Sequence, residues 1–306
     1  MPTAAASGTF PIAGELEVNR LGFGAMRLTG PGITGPPADV DNARAVLRRA
    51  VELGVNHIDT ADAYGPDVSE ELIAEALHPY PDGLVIATKG GLVRTGESGD
   101  WPKDGRPEHL REACEGSLRR LRVDAIDVYY LHRPDPEVPY AESVGALKEL
   151  RDEGKIRHVA VSNASAELLA IARGIVDIVL VQNQYSLTDR RSQDVLDTCA
   201  EAGIGFVPWA PLDAGALDPA GPVAEIARKH DATPPQIGLA WLLHTSPALL
   251  PIPGTSSLGH LEENVAATTA SGSRRATAAR SPRGPRGSRA CGRLRPGAGR
   301  SGSTSA

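Results

Sequence analysis

Short runs of β-branched and aliphatic residues, each followed by a longer amphipathic stretch, recur along most of this 306-residue chain. That rhythm constrains the fold more than any other feature. The runs are Leu21–Met26, Val55–Asp59, Leu84–Thr88, Ile126–Leu131, His158–Ser162, Ile178–Gln182, Gly205–Trp209 and Leu249–Ile252. Between them the apolar residues repeat with a helical period. Ala43, Val46, Leu47, Ala50 and Val51 fall at i, i+3, i+4, i+7 and i+8, and Leu110, Ala113, Cys114, Leu118 and Leu121 form a similar stripe. Several of these stretches end on a glycine, at Leu53-Gly54, Glu153-Gly154 and Ala202-Gly203, as helix C-termini prefer, and the next strand begins within a few residues. Eight strand-then-helix units imply parallel strands joined by crossovers, and eight is the number that closes a barrel. The expectation is therefore an α/β fold, a (β/α)8 TIM barrel. A doubly wound open sheet is the alternative that the same rhythm allows. Thr9–Val18 alternates around Ala13-Gly14 and reads as a β-hairpin ahead of the barrel.

Composition bounds what such a chain can do. Hydrophobic residues make up 41%, enough for a sizeable core, and no apolar run approaches the roughly 20 residues of a membrane helix. The first ten residues lack the basic and apolar regions of a secretory signal, which leads to the expectation of a cytoplasmic protein. Cys114, Cys199 and Cys291 are far apart and lack metal-ligand spacing; the first two read as small core residues on helix faces. The net charge of −6 conceals an asymmetry. Nine arginines lie between Arg274 and Arg300, and no Asp, Glu or Lys follows Glu263. Without them the body carries 23 basic against 38 acidic residues, about −15, which argues against binding nucleic acid through general electrostatics. The chain divides accordingly into a barrel over residues 1–265 and a Gly-, Ala-, Ser-, Pro- and Arg-rich tail over 266–306. The tail has too few large apolar residues to offset its ordering entropy and is expected to be disordered. A shift of reading frame would produce so abrupt a change of composition.

Two inserts break the rhythm. Gly90–Arg106, which contains Trp101, and Pro211–Pro222 both follow strands, so both should hang over the C-terminal face of the barrel as lids. Four chemically capable residues stand at strand ends on that face. Asp59 closes the second strand in NHIDTADAYG, and Tyr64 follows in its loop. Lys89 closes the third strand in VIATKGG, and His132 the fourth in YYLHRPDP. In a closed barrel these ends point into one mouth. An ammonium beside a phenol favours the phenolate and lowers a pKa that is otherwise near ~10. A carboxylate partner would keep the lysine charged, and a histidine can hydrogen-bond a substrate oxygen. By itself Asp59 reads equally as a loop-anchoring carboxylate and His132 as a core histidine. A lysine at a strand end is harder to dismiss, because burying it is costly unless it is paired. Taken together the four point to acid–base chemistry at one site.

The motifs LGFGAMRL, NHIDTADAYG, VIATKGG, LHRPDP, GKIRHVAVSN, VQNQYSL, PWAPL, IPGTSS and HLEEN resemble, in order and spacing, the aldo-keto reductase superfamily, from about Glu17 to Asn264. The resemblance implies a TIM barrel with a catalytic tetrad at Asp59, Tyr64, Lys89 and His132. It implies hydride transfer from a reduced nicotinamide to an aldehyde or ketone, with Tyr64 as proton donor and Tyr64, His132 and Trp101 at the substrate. His132, where the family's steroid double-bond reductases carry Glu, favours carbonyl chemistry. It further implies that Ser162, Asn163 and Gln182 hold the carboxamide and that Trp209 stacks on the nicotinamide. Gly24, Met26, Asp59, Pro211 and Leu212 would line the cofactor path. Pro253, Gly254, Thr255, Ser256, Ser257, His260, Glu263 and Asn264 would form the adenosine-phosphate site, where a helix N-terminus meets a phosphate. Gly254 stands where the family commonly has lysine and His260 where it has arginine, so two cationic phosphate contacts are missing. The implied cofactor is NADPH, with NADH possible. Family members continue past HLEEN with further helix and a substrate-contacting loop; here the Arg-rich stretch replaces them, which would leave apolar barrel wall exposed. The GFG of the first strand is no Rossmann fingerprint, since Arg27 stands where the third glycine belongs. Three other readings keep the barrel but change the role: a Schiff-base enzyme with Lys89 as nucleophile, a cofactor-binding regulatory subunit with little turnover, and an unstable truncated member of the family.

Overall fold

Seven parallel strands follow one another in chain order around a single sheet, each hydrogen-bonded to the next, in a computed structural model that describes residues 2–94, 101–212 and 221–269. A two-stranded antiparallel hairpin, β1 (Thr9–Ile12) and β2 (Leu16–Asn19), comes first. Its turn sits on Ala13 and Gly14, at φ 52° and 74°, as the hairpin reading anticipates. The barrel strands are β3 (Phe23–Gly24), β4 (His57–Asp59), β5 (Val85–Gly90), β6 (Ile126–Leu131), β7 (Ile156–Ser162), β8 (Ile178–Gln184) and β9 (Gly205–Trp209). The helices are α1 (Val40–Glu52), α2 (Val68–Leu77), α3 (Pro107–Leu121), α4 (Tyr140–Asp152), α5 (Ala166–Arg173), α6 (Gln193–Ala202), α7 (Pro222–Lys229), α8 (Pro234–Thr245) and α9 (Leu258–Ala266).

The eighth expected strand, Leu249–Ile252, is reduced to a single parallel bridge between Leu249 and Phe206. Pro251 and Pro253 offer no N–H, so a regular ladder cannot run through them. The segment still joins both neighbours. Leu250 N–H donates to Phe206 O at 2.9 Å, and Gly22 N–H donates to Pro251 O at 3.0 Å. These bonds close the ring between β9 and the first strand, and the architecture is a (β/α)8 barrel.

The helical stripes read from the sequence face the sheet: Ala43, Val46, Leu47 and Ala50 of α1 are buried, as are Leu110, Cys114 and Leu121 of α3. The glycines that end α1, α4 and α6 do so at positive φ, 84°, 77° and 70°. Inside the barrel Val85, Ala87, Val128, Tyr130, Ala160, Leu180, Val207 and Leu250 form one buried cluster with Ile12 and Val18 of the hairpin. Phe10 reaches the start of β9 at Gly205, so the hairpin plugs the N-terminal end of the barrel. Burying each such aliphatic side chain is worth about 1.5–3 kcal/mol. A tight turn, Ala267–Thr269, follows α9, with Ala267 buried and Thr268 Oγ1 donating to Val265 O. Beyond Thr269 the expectation of a disordered tail falls outside the described residues. Among the described residues the large apolar side chains left exposed are Ile171 and Leu258, so the expected bare barrel wall is not seen there. No helix among them is long and apolar enough to cross a membrane.

Cys114 and Cys199 are buried, and burial pushes both thiols up to about 12, which makes them inert packing residues. His57, at the start of β4, is fully buried, and among the described residues neither ring nitrogen has a partner. Burial lowers its pKa from 6.5 to about 4. Between those values the unfolded chain binds a proton that the folded chain refuses, so stability is lost as pH falls from 6.5 toward 4. The loss from this residue is on the order of 3 kcal/mol. Melting His57→Gln beside the unaltered chain from pH 7 to pH 4.5 should show a shallower acid loss for the variant; parallel curves would remove His57 from the account.

Candidate active site

The C-terminal ends of the barrel strands bring the four expected residues together. Asp59 is the last residue of β4, Lys89 the penultimate residue of β5, and His132 follows directly on β6. Tyr64 stands in the turn before α2, with its N–H bonded to Ala61 O and its carbonyl accepting from Ser69 N–H at 3.0 Å. The glycine after it is required. Gly65 has φ 115°, and a Cβ there would meet Val68 Cβ at 2.4 Å.

Lys89 is fully buried and its ammonium is satisfied by three acceptors. Lys89 Nζ donates to Asp59 Oδ1 at 2.5 Å, to Thr60 O at 2.7 Å and to Tyr64 Oη at 3.4 Å. It also lies 5.1 Å from the Tyr64 ring centroid and 5.7 Å from that of Tyr130. The second Asp59 oxygen accepts from Gln182 Nε2 at 2.8 Å. Burial opposes the Lys89 charge, yet Asp59 and Tyr64 outweigh it and raise the lysine's pKa. A lysine held as ammonium is a poor nucleophile, so the Schiff-base reading loses its physical basis.

The phenol behaves differently from the sequence expectation. Burial raises the Tyr64 pKa, and the opposing pull of Lys89 does not reverse it. Burial is the larger effect, and the Asp59 carboxylate beside the ammonium offsets part of its pull on the phenol. Tyr64 is thus a protonated donor at neutral pH. His132 meets the Tyr64 ring edge-on at 5.9 Å. Burial, then Lys89 and Arg133, hold its pKa well below the ordinary histidine value, so the ring is neutral. Its Nδ1 is buried without a partner among the described residues.

Above this cluster lies a cavity of about 1520 Å³ lined by Asp59, Tyr64 and His132 and by every residue expected at the cofactor except Ser257. Gly24 and Met26 border it beside β3. Ser162 ends β7, Gln182 lies in β8 and Trp209 ends β9. Asn163 ties these ends together: its Nδ2 donates to His132 O and to Ser162 Oγ, and its Oδ1 accepts from Trp209 Nε1 at 3.2 Å. Ser162 Oγ donates to Gln182 O. At the far end Pro253, Gly254, Thr255 and Ser256 lead into α9, where Ser257 caps the helix by accepting from His260 N–H. His260, Glu263 and Asn264 line the same end, and Glu263 also accepts from Thr233 Oγ1. Pro211 and Leu212 complete the wall. These donors and acceptors fit a nicotinamide dinucleotide, with amide-binding groups near Tyr64 and a helix N-terminus at the other extreme.

The described ends of the insert carrying Trp101 lie against the site. Leu92 and Lys103 form an antiparallel bridge, and Trp101 meets the Tyr64 ring edge-on at 6.3 Å. Arg94 stacks on Trp101 at 4.2 Å and donates to Gly32 O in the loop before α1. Residues 95–100 of this insert and 213–220 of the other fall outside the described residues. Sequence reasoning assigned no role to Thr60, whose backbone carbonyl leaves no sequence signal, nor to Arg27, Lys103 and Arg133, which also line the cavity. Arg27 and Arg133 stand inside the motifs LGFGAMRL and LHRPDP, the one signal available for them.

Comparison with known proteins identifies the class. The Aldo/keto reductase family model matches residues 20–273, and the chain belongs to that family. It is accordingly an oxidoreductase of the NAD(P)H-dependent, carbonyl-reducing kind. It is 47% identical over 265 residues to the uncharacterized oxidoreductase C215.11c of Schizosaccharomyces pombe, covering 86% of each chain. It is 44% identical over 268 residues to pyridoxine 4-dehydrogenase of Escherichia coli, covering 85% of this chain and 93% of that one. Among solved structures, an aldo-keto reductase from Klebsiella pneumoniae in complex with NADPH superposes with a TM-score of 0.73 at 29% identity, over 88% of this chain and 90% of that one.

Proposed function

We propose that the chain reduces an aldehyde or ketone to the alcohol with NADPH, and that Tyr64 supplies the proton. The observation that carries this reading is the buried Lys89, hydrogen-bonded between Asp59 and Tyr64 directly beneath the cavity. The reduced nicotinamide, when bound, supplies the hydride to the carbonyl carbon. Tyr64 gives its phenolic proton to the carbonyl oxygen as negative charge develops there, and the Lys89 ammonium stabilises the phenolate left behind. His132, neutral in its buried setting, orients the substrate oxygen by hydrogen bonding. Ser162, Asn163 and Gln182 would hold the carboxamide, and Trp209 the ring face. Trp101 would wall the substrate end and help keep water out.

NADPH is the cofactor of choice in this reading, supported by the Klebsiella relative that binds it. The likeness to pyridoxine 4-dehydrogenase puts pyridoxal first among the substrates to test. The test is a melt of the full chain with NADPH or NADH, followed by turnover with pyridoxal and simple aldehydes. At a hundredfold excess over Kd a bound dinucleotide adds about 2.7 kcal/mol, which for a chain of this size raises Tm by roughly 5 °C or more. A larger shift with NADPH than with NADH, and oxidation of NADPH when aldehyde is added, is the expected result. A shift without turnover on any carbonyl would favour the regulatory-subunit reading, and no shift with either dinucleotide would overturn both.

A further inference from the structure

We propose that Arg27, in the short 3-10 helix (Ala25–Leu28) that follows β3, grips a phosphate of the bound dinucleotide in place of the lysine that Gly254 lacks. The proposal rests on reading the cavity as a dinucleotide site, and it adds a binding residue which that reading does not contain.

The geometry begins at Gly254. A Cβ built there would stand 2.5 Å from the carbonyl oxygen of Gly24. The obstacle is backbone rather than a movable side chain, so no lysine fits at this position unless the strand end carrying Gly24 shifts. The nearest side-chain atom is Arg27 Cγ, 3.7 Å from the same point. The arginine stem thus runs past the place where a side chain of residue 254 would begin, and Arg27 and Gly254 line the cavity together. A cation excluded from one loop is supplied from the loop that excludes it.

Arg27 is also available. It is exposed, and among the described residues it forms no ion pair. Two acids line the same region, and each is engaged elsewhere. Asp39 accepts from Asn42 N–H at 2.8 Å at the start of α1, and Glu263 accepts from Thr233 Oγ1. Asn42 in turn donates through Nδ2 to Ser256 O at 2.8 Å, which ties the α1 end of the cavity to the 253–256 loop. A guanidinium there presents a planar fork of donors to an anion, the arrangement best suited to phosphate.

The test is a direct binding measurement on the full chain. Kd values for NADPH and for NADH are obtained from quenching of tryptophan fluorescence, for the unaltered chain, Arg27→Met and Arg27→Lys, at low and high salt. Met keeps the length of the stem and removes the charge, and a cofactor-free melt close to the unaltered chain's checks that folding is intact. Losing one charge-assisted contact should raise the Kd for NADPH by about 10–100-fold in Arg27→Met, weaken its salt dependence, and leave Arg27→Lys between the two. A loss confined to NADPH assigns the contact to the adenosine 2′-phosphate; equal losses for both cofactors assign it to the pyrophosphate. Unchanged Kd values in Arg27→Met would overturn the proposal while leaving the dinucleotide site standing. An unaltered chain that binds neither cofactor would overturn the site itself.

Discussion

Replacing Tyr64 with Phe should leave the dinucleotide bound and lower turnover by about 10²–10⁴-fold, the usual worth of a positioned acid. The variant loses one oxygen and little else. The Phe ring keeps the edge-on packing with His132 and Trp101, and it keeps the face toward Lys89. Lys89 still donates to Asp59 and Thr60, so the buried charge stays compensated. Stability and cofactor Kd should therefore move little while kcat collapses. The pH dependence gives an independent check. Because burial holds the Tyr64 pKa above that of a free phenol, the reduction rate of the unaltered chain should not fall through the neutral range on account of this group. Turnover in Tyr64→Phe within twofold of the unaltered chain would remove Tyr64 from the mechanism.

That direction of the Tyr64 pKa was the part of the site that sequence reasoning read wrongly, and the reason is physical. A sequence can place an ammonium near a phenol, but it cannot show how deeply that phenol is buried, nor that a carboxylate 2.5 Å from the ammonium offsets part of its pull. What the sequence did carry was position. Asp59, Lys89 and His132 stand at or beside strand ends, and the strand ends of a closed barrel share a mouth. Seven of the eight runs became strands because aliphatic and β-branched residues fit a sheet buried on both faces. The eighth did not, because Pro251 and Pro253 break the ladder, and two backbone bonds still close the barrel there. Arg27 was given no role for a third reason. An exposed arginine in a single 3-10 turn carries no periodicity, and its bearing on the site depends on the clearance between Gly254 and Gly24, which the fold alone sets.

Lys89→Met should be damaging in two separable ways. The substitution removes the donor that Asp59 shares with the site and leaves a buried carboxylate whose remaining side-chain partner is Gln182 Nε2. Breaking a buried ion pair from one side costs about 3–5 kcal/mol, which for a chain of this size lowers Tm by about 5–9 °C. Turnover should fall as well, because the phenolate formed when Tyr64 gives up its proton loses the cation beside it. The two losses separate in the double variant Asp59→Asn/Lys89→Met. Removing both charges leaves no uncompensated ion, so the melt should return to within about 1–2 kcal/mol of the unaltered chain. Turnover should stay low, since nothing in the double variant replaces the ammonium. A double variant that regains activity along with stability would mean that Lys89 serves only to neutralise Asp59. A single variant that melts like the unaltered chain would mean that the pair is not the buried charge couple seen here.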